Sequence, residues 1–260
     1  WVNAESDHGS EVHVAADSGW AVVDECRHIW GRVGSFDIGE ASYCKLTAVK
    51  LEASFREMRD LEKLRDWFRE CPGALVAFSG GVDSSLLAFI SKHFLGRAQT
   101  LAVISASPSL KLSDLDEAKD FARANDLSIR VITTKEMENP SYFNNPTNRC
   151  YFCKYTLYDE LADLRKDYTG WWVLNGTNRD DLGDYRPGLK AADEFEVRSP
   201  LSDCGIDKEG VRALAAYFKL QCWDKPASPC LSSRVPYGEE ITLKKLRQIE
   251  DAEALVKDAG

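Results

Sequence analysis

Apolar residues along this chain alternate between short unbroken runs and longer stretches in which they recur every three or four positions. A short apolar run bounded by turn residues is typical of a strand buried on both faces, whereas the longer spacing is typical of an amphipathic helix. The predicted strands lie, in chain order, at 74–78, 100–105, 128–134 and 171–175. Because helical stretches and short links separate them, the pattern predicts an α/β fold with a doubly wound, mainly parallel sheet.

The helices predicted from the same periodicity outnumber the strands. They cover 51–70, 83–95, 113–126, a segment that follows 150–154, 208–220 and the chain from 241 onward. Ser113 and Asp116 have the approximate spacing of a capping box at a helix N-terminus. The stretch 179–190 is so rich in turn residues that we expect no regular element there, and 198–201 is expected to form an edge element.

The first predicted strand leads directly into a turn that contains two glycines. The run 74–78 is followed by Ser79-Gly80-Gly81 and then by Asp83-Ser84-Ser85 at the start of an apolar helix. Glycines let backbone amides approach a ligand, and amides at a helix N-terminus attract anions. The segment lacks the residues of a Walker A loop and of the G-x-G-x-x-G dinucleotide motif. It predicts a phosphate-binding loop, with an ordinary turn capped by Asp83 or Ser84 as the alternative.

Composition and charge narrow the class of protein. The 260 residues are 44% hydrophobic and 29% charged, as in globular proteins, and no apolar run is long enough to span a bilayer. The net charge of −9 argues against a broad nucleic-acid-binding surface. Eight cysteines are too few for a disulfide framework in a chain of this length, and no signal peptide precedes them. We therefore expect reduced cysteines and a cytoplasmic protein.

Three of the cysteines are candidate metal ligands. Cys150 and Cys153 lie one helical turn apart at a predicted helix N-terminus, where Arg149 and Lys154 favour the thiolate form. Cys230 follows in a proline-rich loop. From spacing alone three interpretations stay open: a structural zinc site with a fourth ligand, a redox-active pair, and three thiolates on an iron–sulfur cluster.

Two polar segments carry candidate ligands for anions. The first follows Gly176, at the edge of the sheet where parallel strands end and ligands usually bind. Its charged members are Asp180, Asp181, Asp184, Arg186 and Lys190. In the second segment Ser233 and Arg234 follow Cys230, and a fixed guanidinium suits a phosphate or a carboxylate. Surface ion pairs in a solvated loop are the alternative interpretation of the first segment.

Three motifs together resemble one family. SGGVDSS at 79–85, GTNRDDLGDYRPGLKA at 176–191 and PCLSSRVPYG at 229–238 look like motifs of LarE, the ATP-dependent sulfur transferases that build the nickel-pincer nucleotide cofactor of lactate racemase. The glycine loop alone marks the wider PP-loop superfamily, whose enzymes cleave ATP between the α and β phosphates. The other two blocks narrow the match to LarE-type proteins. Residues 1–54 match nothing recognisable in that family.

The resemblance implies a reaction and a set of site residues. A carboxylate of a pyridinium dicarboxylate mononucleotide attacks the α-phosphate of ATP, and sulfur then displaces AMP to leave a thiocarboxylate. The residues implied to bind ATP phosphates, Mg²⁺ or substrate are Ser79, Gly80, Gly81, Asp83, Ser84, Ser85, Gly176, Arg186 and Ser233. The residues implied to be catalytic are Asp83, Cys230, Arg234 and Glu253.

The family also suggests where the sulfur comes from. In some members it comes from the enzyme's own cysteine, whereas in others three cysteines hold a 4Fe–4S cluster that carries an extra sulfide. Cys150, Cys153 and Cys230 resemble the cluster-bearing type, so the resemblance favours a 4Fe–4S cluster beside ATP and Mg²⁺. The implied partners are a small nucleotide substrate, a sulfide donor and further copies of the chain in a homo-oligomer, without a membrane or nucleic acid.

The resemblance also divides the chain into three parts. We expect an N-terminal extension at 1–54, a PP-loop ATP pyrophosphatase domain at 55–238, and at 239–260 the start of a C-terminal region that is incomplete in this sequence. The alternative functions are a tRNA thiolation enzyme, an ammonia-using synthetase of the NAD or GMP type, and a non-enzymatic nucleotide sensor.

Overall fold

The computed structural model of the chain, which describes residues 55–183 and 186–258, contains one parallel sheet. Its strands are β1 (Ala74–Ala77), β2 (Thr100–Ser105), β3 (Ile129–Ile132) and β4 (Trp172–Leu174). Their order is β3-β2-β1-β4, and every neighbouring pair is parallel. The predicted α/β fold is confirmed. The predictions for residues 1–54 and for Asp184 lie outside the described residues.

Helices account for most of the remaining described chain. They are α1 (55–68), α2 (Val82–Leu95), α3 (Leu112–Ala124), α4 (Pro140–Phe143), α5 (Arg149–Arg165), α6 (Pro187–Glu194), α7 (Pro200–Asp203), α8 (Lys208–Tyr217) and α9 (Leu243–Asp258). Shorter 3-10 turns lie at Arg97–Gln99, Glu136–Glu138, Arg179–Gly183 and Leu231–Arg234.

Two expectations about these helices were wrong. The capping box at Ser113 does not exist, because α3 already begins at Leu112 and its N-cap residue is Lys111. The stretch 179–190 was expected to be irregular, yet it holds a 3-10 turn and the start of α6. Proline causes this second difference, because the fixed φ of Pro187 suits the first position of a helix and its missing N–H has no partner there in any case.

The sheet separates two hydrophobic cores. Side chains of successive strand residues point to opposite faces, and in β1 Ala74 and Val76 enter one core while Leu75 and Ala77 enter the other. Residues of α1, α2, α3 and α8 fill the first core, and residues of α5 and α6 fill the second. A strand that is apolar on both faces therefore reads as an unbroken apolar run, which is the pattern that predicted it.

The connections determine where a ligand site can form. Strand order changes direction between β1 and β4, and in open α/β sheets ligands bind at such a point, outside the carboxyl ends of the strands.

The edge element expected at 198–201 amounts to one parallel bridge between Arg198 and Leu174. A third, smaller core joins α4, the 229–238 loop and α9 through Tyr142, Leu231, Val235, Ile241 and Leu246. In the described part of the chain, every helix is too short or too polar to cross a bilayer.

Candidate active site

Hydrogen bonds among its own residues close the glycine turn after β1. Ser84 Oγ accepts from the Ser79 amide at 3.1 Å, lies 3.0 Å from Ser79 Oγ and donates to the Gly81 carbonyl at 3.1 Å. The helix α2 then begins without a hydrogen bond from a capping side chain. The amides of its first turn are therefore directed toward the space in front of the loop, where the positive end of the helix dipole favours an anion.

Two positions, one in this turn and one packed against it from the loop after β4, require glycine. Gly80 has a φ of +73°, in the left-handed region, and a Cβ placed on it would lie 3.1 Å from Ala118 Cβ. Gly176, just past β4, packs against the start of α2 so closely that an added Cβ would lie 2.8 Å from the Ser84 amide nitrogen. The backbone of the β4 loop thereby becomes one wall of the site.

Asp83 is the charged centre of the turn. Asn178 Nδ2 donates to its Oδ1 at 3.0 Å, and Lys208 Nζ lies 2.5 Å from its Oδ2. Sequence reasoning missed Lys208, which lies 125 residues from Asp83 along the chain at the first position of α8. No local motif marks it, because only the packing of α8 beside α2 brings it to the loop.

The polar segment after Gly176 forms an ordered arrangement in front of the sheet. Asp181 accepts from the Asn178 amide at 3.0 Å and pairs with Arg186 Nη2 at 2.7 Å. Asp180 accepts from the Lys208 amide at 3.0 Å. Lys190 points away, with three-quarters of its side chain exposed, and lies 3.9 Å from Glu194. The structure thus brings Asp181 and Arg186 to the glycine turn and leaves Lys190 at the surface.

Two cavities adjoin Asp83 and the glycine turn, with volumes of about 510 and 550 Å³. Ser79, Asp83, Asp181 and Arg186 line both of them. The first cavity also contacts Ser84, Cys150, Lys154, Tyr158 and Gly176. The second also contacts Gly81, Lys111, Asp114, Lys208, Lys225 and Cys230. Volumes of this size suit a small ligand. Ser85, expected at the nucleotide, is fully buried and lines neither cavity.

The three candidate cysteines lie around these cavities. Cys150 and Cys230 are exposed, one in each cavity, and Cys230 Sγ lies 3.5 Å from Ser233 Oγ. Cys153 is half-buried and packs against the third core. Within the part of the chain that the structure describes, no three or more His, Cys, Asp or Glu side chains are grouped so that they would hold a metal ion. The three thiols are therefore neighbours, but they do not converge on one point.

The charge state of Cys153 differs from the expectation. Burial raises the pKa of its thiol to about 12, and the charges of Glu136, Cys230 and Cys150 add to the rise, while Lys154 opposes it. The expectation that Arg149 and Lys154 hold both helix cysteines as thiolates was therefore wrong for Cys153. Desolvation outweighs the neighbouring positive charge, because the thiol packs against apolar side chains rather than facing water.

Glu136 is a second group that sequence reasoning missed. It lies in the 3-10 turn after β3 with only 1% of its surface exposed, and neither carboxylate oxygen has a hydrogen-bond partner among the described residues. Its charge acts on the Cys153 thiol. Nothing in its local sequence distinguishes it from the exposed Glu138 two positions later.

Arg234 and Glu253 form an ion pair beside Cys230. Arg234 Nε lies 2.5 Å from Glu253 Oε1, and Lys111 Nζ lies 2.6 Å from Glu253 Oε2. The Lys111 and Arg234 contacts lower the pKa of Glu253. Arg234 Nη1 also donates to the carbonyls of Pro229 and Cys230, at 2.5 and 3.1 Å. The structure brings Arg234 and Glu253 together, and the catalytic role expected for each of them remains a prediction.

Comparison with known proteins supports the resemblance to PP-loop and LarE-type proteins that the sequence motifs indicate. Residues 62–147 match the family model named NAD synthase. The chain is 46% identical over 200 residues to the Synechocystis protein slr1717, covering 77% of this chain and 74% of that protein. It is 35% identical over 185 residues to the pyridinium-3,5-bisthiocarboxylic acid mononucleotide synthase of Lactiplantibacillus plantarum, covering 71% and 67%. It is 23% identical over 201 residues to a chain of the glutamine-hydrolysing GMP synthase of Thermoplasma acidophilum, covering 71% and 63%.

The parallel sheet, the glycine loop after its central strand and these matches define a PP-loop enzyme that uses ATP. Within that superfamily the family is identified by the match to the L. plantarum synthase, which is 35% identical over 71% of this chain. The chain belongs to the LarE family.

Proposed function

We propose that this protein is an ATP-dependent sulfur transferase that converts a carboxylate of a pyridinium mononucleotide into a thiocarboxylate. One observation carries the proposal: cavities that share Ser79 and Asp83 of the glycine loop each contain a cysteine from a distant part of the chain. A substrate bound in these cavities would therefore be near both the loop that is proposed to hold ATP and a cysteine sulfur. The name of the L. plantarum relative, a bisthiocarboxylic acid mononucleotide synthase, supports this product class.

Activation of the carboxylate is the first step. A carboxylate is a poor electrophile, and transfer of AMP to it from ATP gives an acyl-adenylate with a good leaving group and releases pyrophosphate. The glycine loop amides and the N-terminus of α2 would hold the phosphates. Asp83 is a hard oxygen donor of the kind that Mg²⁺ prefers, and the ion when bound would offset charge on the departing pyrophosphate.

The charges around Asp83 suit this step. Lys208, Lys225, Lys111 and Arg186 line the second cavity with Asp83, Asp114 and Asp181. Cations that can turn from carboxylates to phosphates stabilise the negative charge that develops on the leaving group. Lys154, in the first cavity, offers a further cation to a carboxylate or phosphate of the substrate.

Sulfur is the second reactant. Cys150, Cys153 and Cys230 provide three soft donors, and three thiolates are a ligand set for a 4Fe–4S cluster with one open iron. Such a cluster, when bound, would supply sulfide to the acyl-adenylate. The chain's own residues would hold the thiolates: Ser233 contacts the Cys230 sulfur, and Arg234 binds the carbonyl of Cys230. Binding requires the Cys153 proton to leave, because burial keeps that thiol neutral.

Pyrophosphate release and product mass test the proposal. The protein, purified without oxygen and analysed for iron and acid-labile sulfide, is incubated with ATP, Mg²⁺, sulfide and a pyridinium dicarboxylate mononucleotide. We expect pyrophosphate to form only with the carboxylate present, and the product to contain sulfur in place of oxygen. Cys230→Ala should abolish thiocarboxylate formation while adenylation persists. Cys204→Ala is the matched control, since Cys204 lines neither cavity.

The alternative chemistries give different outcomes in the same assay. Product amide formed from ammonia, with activity that survives loss of all three cysteines, would mean a synthetase of the NAD or GMP type. Tight and salt-sensitive binding of tRNA would point to a tRNA thiolation enzyme. Absence of pyrophosphate with every carboxylate offered would leave a nucleotide-binding protein.

A further inference from the structure

Lys208 reaches the glycine loop from a helix that lies far from the loop along the chain. Its Nζ lies 2.5 Å from Asp83 Oδ2, and its side chain lines the second cavity. Its backbone amide donates to Asp180 Oδ2 at 3.0 Å, and Asp180 lines the same cavity. Lys208 is the first residue of α8, so the position of its ammonium group depends on how firmly the start of that helix is held.

The residue before Lys208 ties the start of α8 to the rest of the protein. Asp207 is the N-cap residue of α8, and its Oδ1 accepts from the Gly210 amide at 2.8 Å. The same oxygen lies 2.5 Å from Nη2 of Arg56, a residue of α1. Asp207 Oδ2 lies 2.7 Å from Nη2 of Arg179, in the 3-10 turn after β4. One carboxylate therefore joins three elements of the fold.

Further contacts strengthen this junction. Arg56 Nη1 lies 2.9 Å from Glu209 Oε2, so its guanidinium bridges the residues on both sides of Lys208. The Arg179 amide donates to the Ile206 carbonyl at 2.8 Å. The chain on either side of Lys208 is therefore held by groups that lie outside α8.

The contacts of Asp207 exceed what a helix cap requires. A cap needs one acceptor for an amide, and Asn139 caps α4 by accepting from the Ser141 amide. Asp207 adds two guanidinium contacts, and only 14% of its side chain is exposed. The hydrogen bond from the Gly210 amide, and after it the charges of the two arginines, lower the pKa of Asp207 despite its partial burial. It is therefore ionised at neutral pH and attracts both arginines.

We propose that Asp207 is the positioning residue of Lys208: it fixes the start of α8 so that the lysine ammonium meets the pyrophosphate part of ATP. Asp207, Arg56 and Arg179 line neither cavity, so their effect passes through Lys208 rather than through contact with the nucleotide. A cation that is held in place before the ligand arrives loses little freedom when the ligand binds. The inference rests on the ATP site of the proposed function and is independent of its cysteines.

Binding of three ligands to the whole chain tests the proposal without any need for sulfur transfer. Calorimetry measures the Kd of ATP and of pyrophosphate, each with Mg²⁺, and of AMP, which lacks the phosphates that Lys208 would meet. Asp207→Asn keeps a residue that caps helices equally well but removes the charge that holds both arginines. We expect the affinity for ATP and for pyrophosphate to fall about tenfold, and the affinity for AMP to stay within about twofold of the wild type.

A double-mutant cycle shows whether the effect passes through Lys208. Lys208→Met should weaken the binding of ATP and pyrophosphate by about tenfold or more and leave AMP binding unchanged. If Asp207 acts through the lysine, adding Asp207→Asn to Lys208→Met should cause less than about a twofold further loss. Asp203→Asn is the matched control, because it removes an exposed carboxylate that accepts from Trp67 Nε1 at 3.1 Å and lines neither cavity. It should bind all three ligands like the wild type.

Arg179→Met guards against misfolding of the Asp207 variant. It keeps Asp207 as the cap and removes its bond to the 3-10 turn, so we expect the same pattern with a smaller loss. Circular dichroism identifies variants that fold, and if Asp207→Asn does not fold, the same criteria apply to Arg179→Met. Equal losses for ATP, pyrophosphate and AMP would mean a merely structural role. Wild-type affinity for all three ligands, or fully additive losses in the double variant, would also overturn the proposal.

The outcomes separate this inference from the proposed function. A wild-type protein that binds ATP and pyrophosphate but never forms a thiocarboxylate would overturn the sulfur-transfer proposal alone. A wild-type protein that binds none of the three ligands would overturn both proposals. Thiocarboxylate formation by the wild type, together with normal ATP binding by Asp207→Asn, would overturn the role of Asp207 alone.

Discussion

The glycine loop and the three-cysteine region are built in different ways. The loop follows the central strand of the sheet, and backbone contacts define it: β1 pairs with a parallel strand on each side, and Gly176 touches the Ser84 amide. The cysteine region joins a helix end, a loop and α9 through polar side chains, chiefly Arg149, Asn145 and the Arg234–Glu253 pair. Only a small third core lies beneath it.

This difference predicts two kinds of sensitivity. A site made of backbone tolerates many changes of side chain but does not tolerate an added atom where two backbones meet. A site made of polar side chains fails when one donor or one charge is lost, and it responds to pH. The substitutions below separate these two behaviours, from the largest expected effect to the smallest.

Replacing Gly176 with alanine should produce the largest effect. The added Cβ would lie 2.8 Å from the Ser84 nitrogen and 2.9 Å from the Asp83 carbonyl carbon, so the β4 loop or α2 must move. Overpacking of this kind costs about 1–3 kcal/mol of the free energy of unfolding, and we expect ATP binding to be lost with it. Urea unfolding and nucleotide titration measure the two effects.

Gly183→Ala is the matched control for this substitution. Gly183 follows a few positions later, and a Cβ placed on it meets no atom within 4 Å. The variant should unfold within about 0.5 kcal/mol of the wild type. Equal losses in both variants would contradict the conclusion that the Gly176 contact is special.

Lys208→Met should have the next largest effect, on the rate of pyrophosphate formation. Lysine at this position pairs with Asp83 and lines the second cavity, where it is available to the phosphates. Loss of one preorganised cation should slow the step by about 100-fold, with fold stability little changed. Lys244→Met, on the exposed face of α9, is the control. A wild-type rate in Lys208→Met would show that Asp83 and the loop amides suffice.

Alkylation of Cys153 tests the polar character of the cysteine region. With a pKa of about 12, this thiol stays mainly protonated up to that pH. Because only the thiolate reacts with iodoacetamide, the rate of alkylation should rise about tenfold per pH unit from about pH 7 to about pH 10. Glu136→Gln removes a negative charge that raises the pKa, so Cys153 should react faster at every pH in that range, by less than about tenfold. Peptide mass spectrometry measures the rates.

Glu138→Gln controls for the Glu136 substitution. Glu138 lies in the same 3-10 turn but is exposed, so solvent screens its charge. We expect its removal to leave the alkylation of Cys153 unchanged. If both glutamine variants increase the rate equally, a change in access rather than in charge explains the effect.

Glu253→Gln should have the smallest effect. The carboxylate joins Lys111 and Arg234 at a partly exposed site, where such pairs contribute about 1 kcal/mol or less. Its pKa is lowered in the folded protein, so this stability is present above the ordinary value of 4.5 and disappears as pH falls through the folded pKa. Thermal unfolding of wild type and variant should therefore differ at neutral pH and converge in acid.

Asp251→Asn, on the exposed side of α9, is the control for the Glu253 substitution, and it should unfold like the wild type at both pH values. A large loss of thiocarboxylate formation in Glu253→Gln, without a matching loss of stability, would instead favour the catalytic role implied by the family resemblance.

Local patterns predicted the elements whose contacts are local or repetitive. The bounds of β2 were predicted without error, and β1, β3 and β4 lie inside the predicted runs. In β1 and β2 the reason is that a strand buried on both faces leaves an apolar segment. The central residues of β3, Arg130 and Val131, are exposed, so β3 does not follow that rule. The glycine loop was visible because its φ angles and close approaches demand particular residues at adjacent positions. The start of α6 was missed, because the turn-like composition of 179–190 concealed the helix-initiating role of Pro187.

The sequence by itself therefore determined the parallel sheet, the position of the glycine loop after β1 and the family, and it predicted three cysteines as candidate ligands. Only the tertiary structure decided that Lys208 pairs with Asp83, that Glu136 is buried without a partner among the described residues, and that Arg149 joins the Cys230 loop to α5. It also decided that Cys153 is a neutral thiol. The physical reason is that burial and electrostatic interactions depend on which groups meet in space, and chain neighbours do not specify those groups.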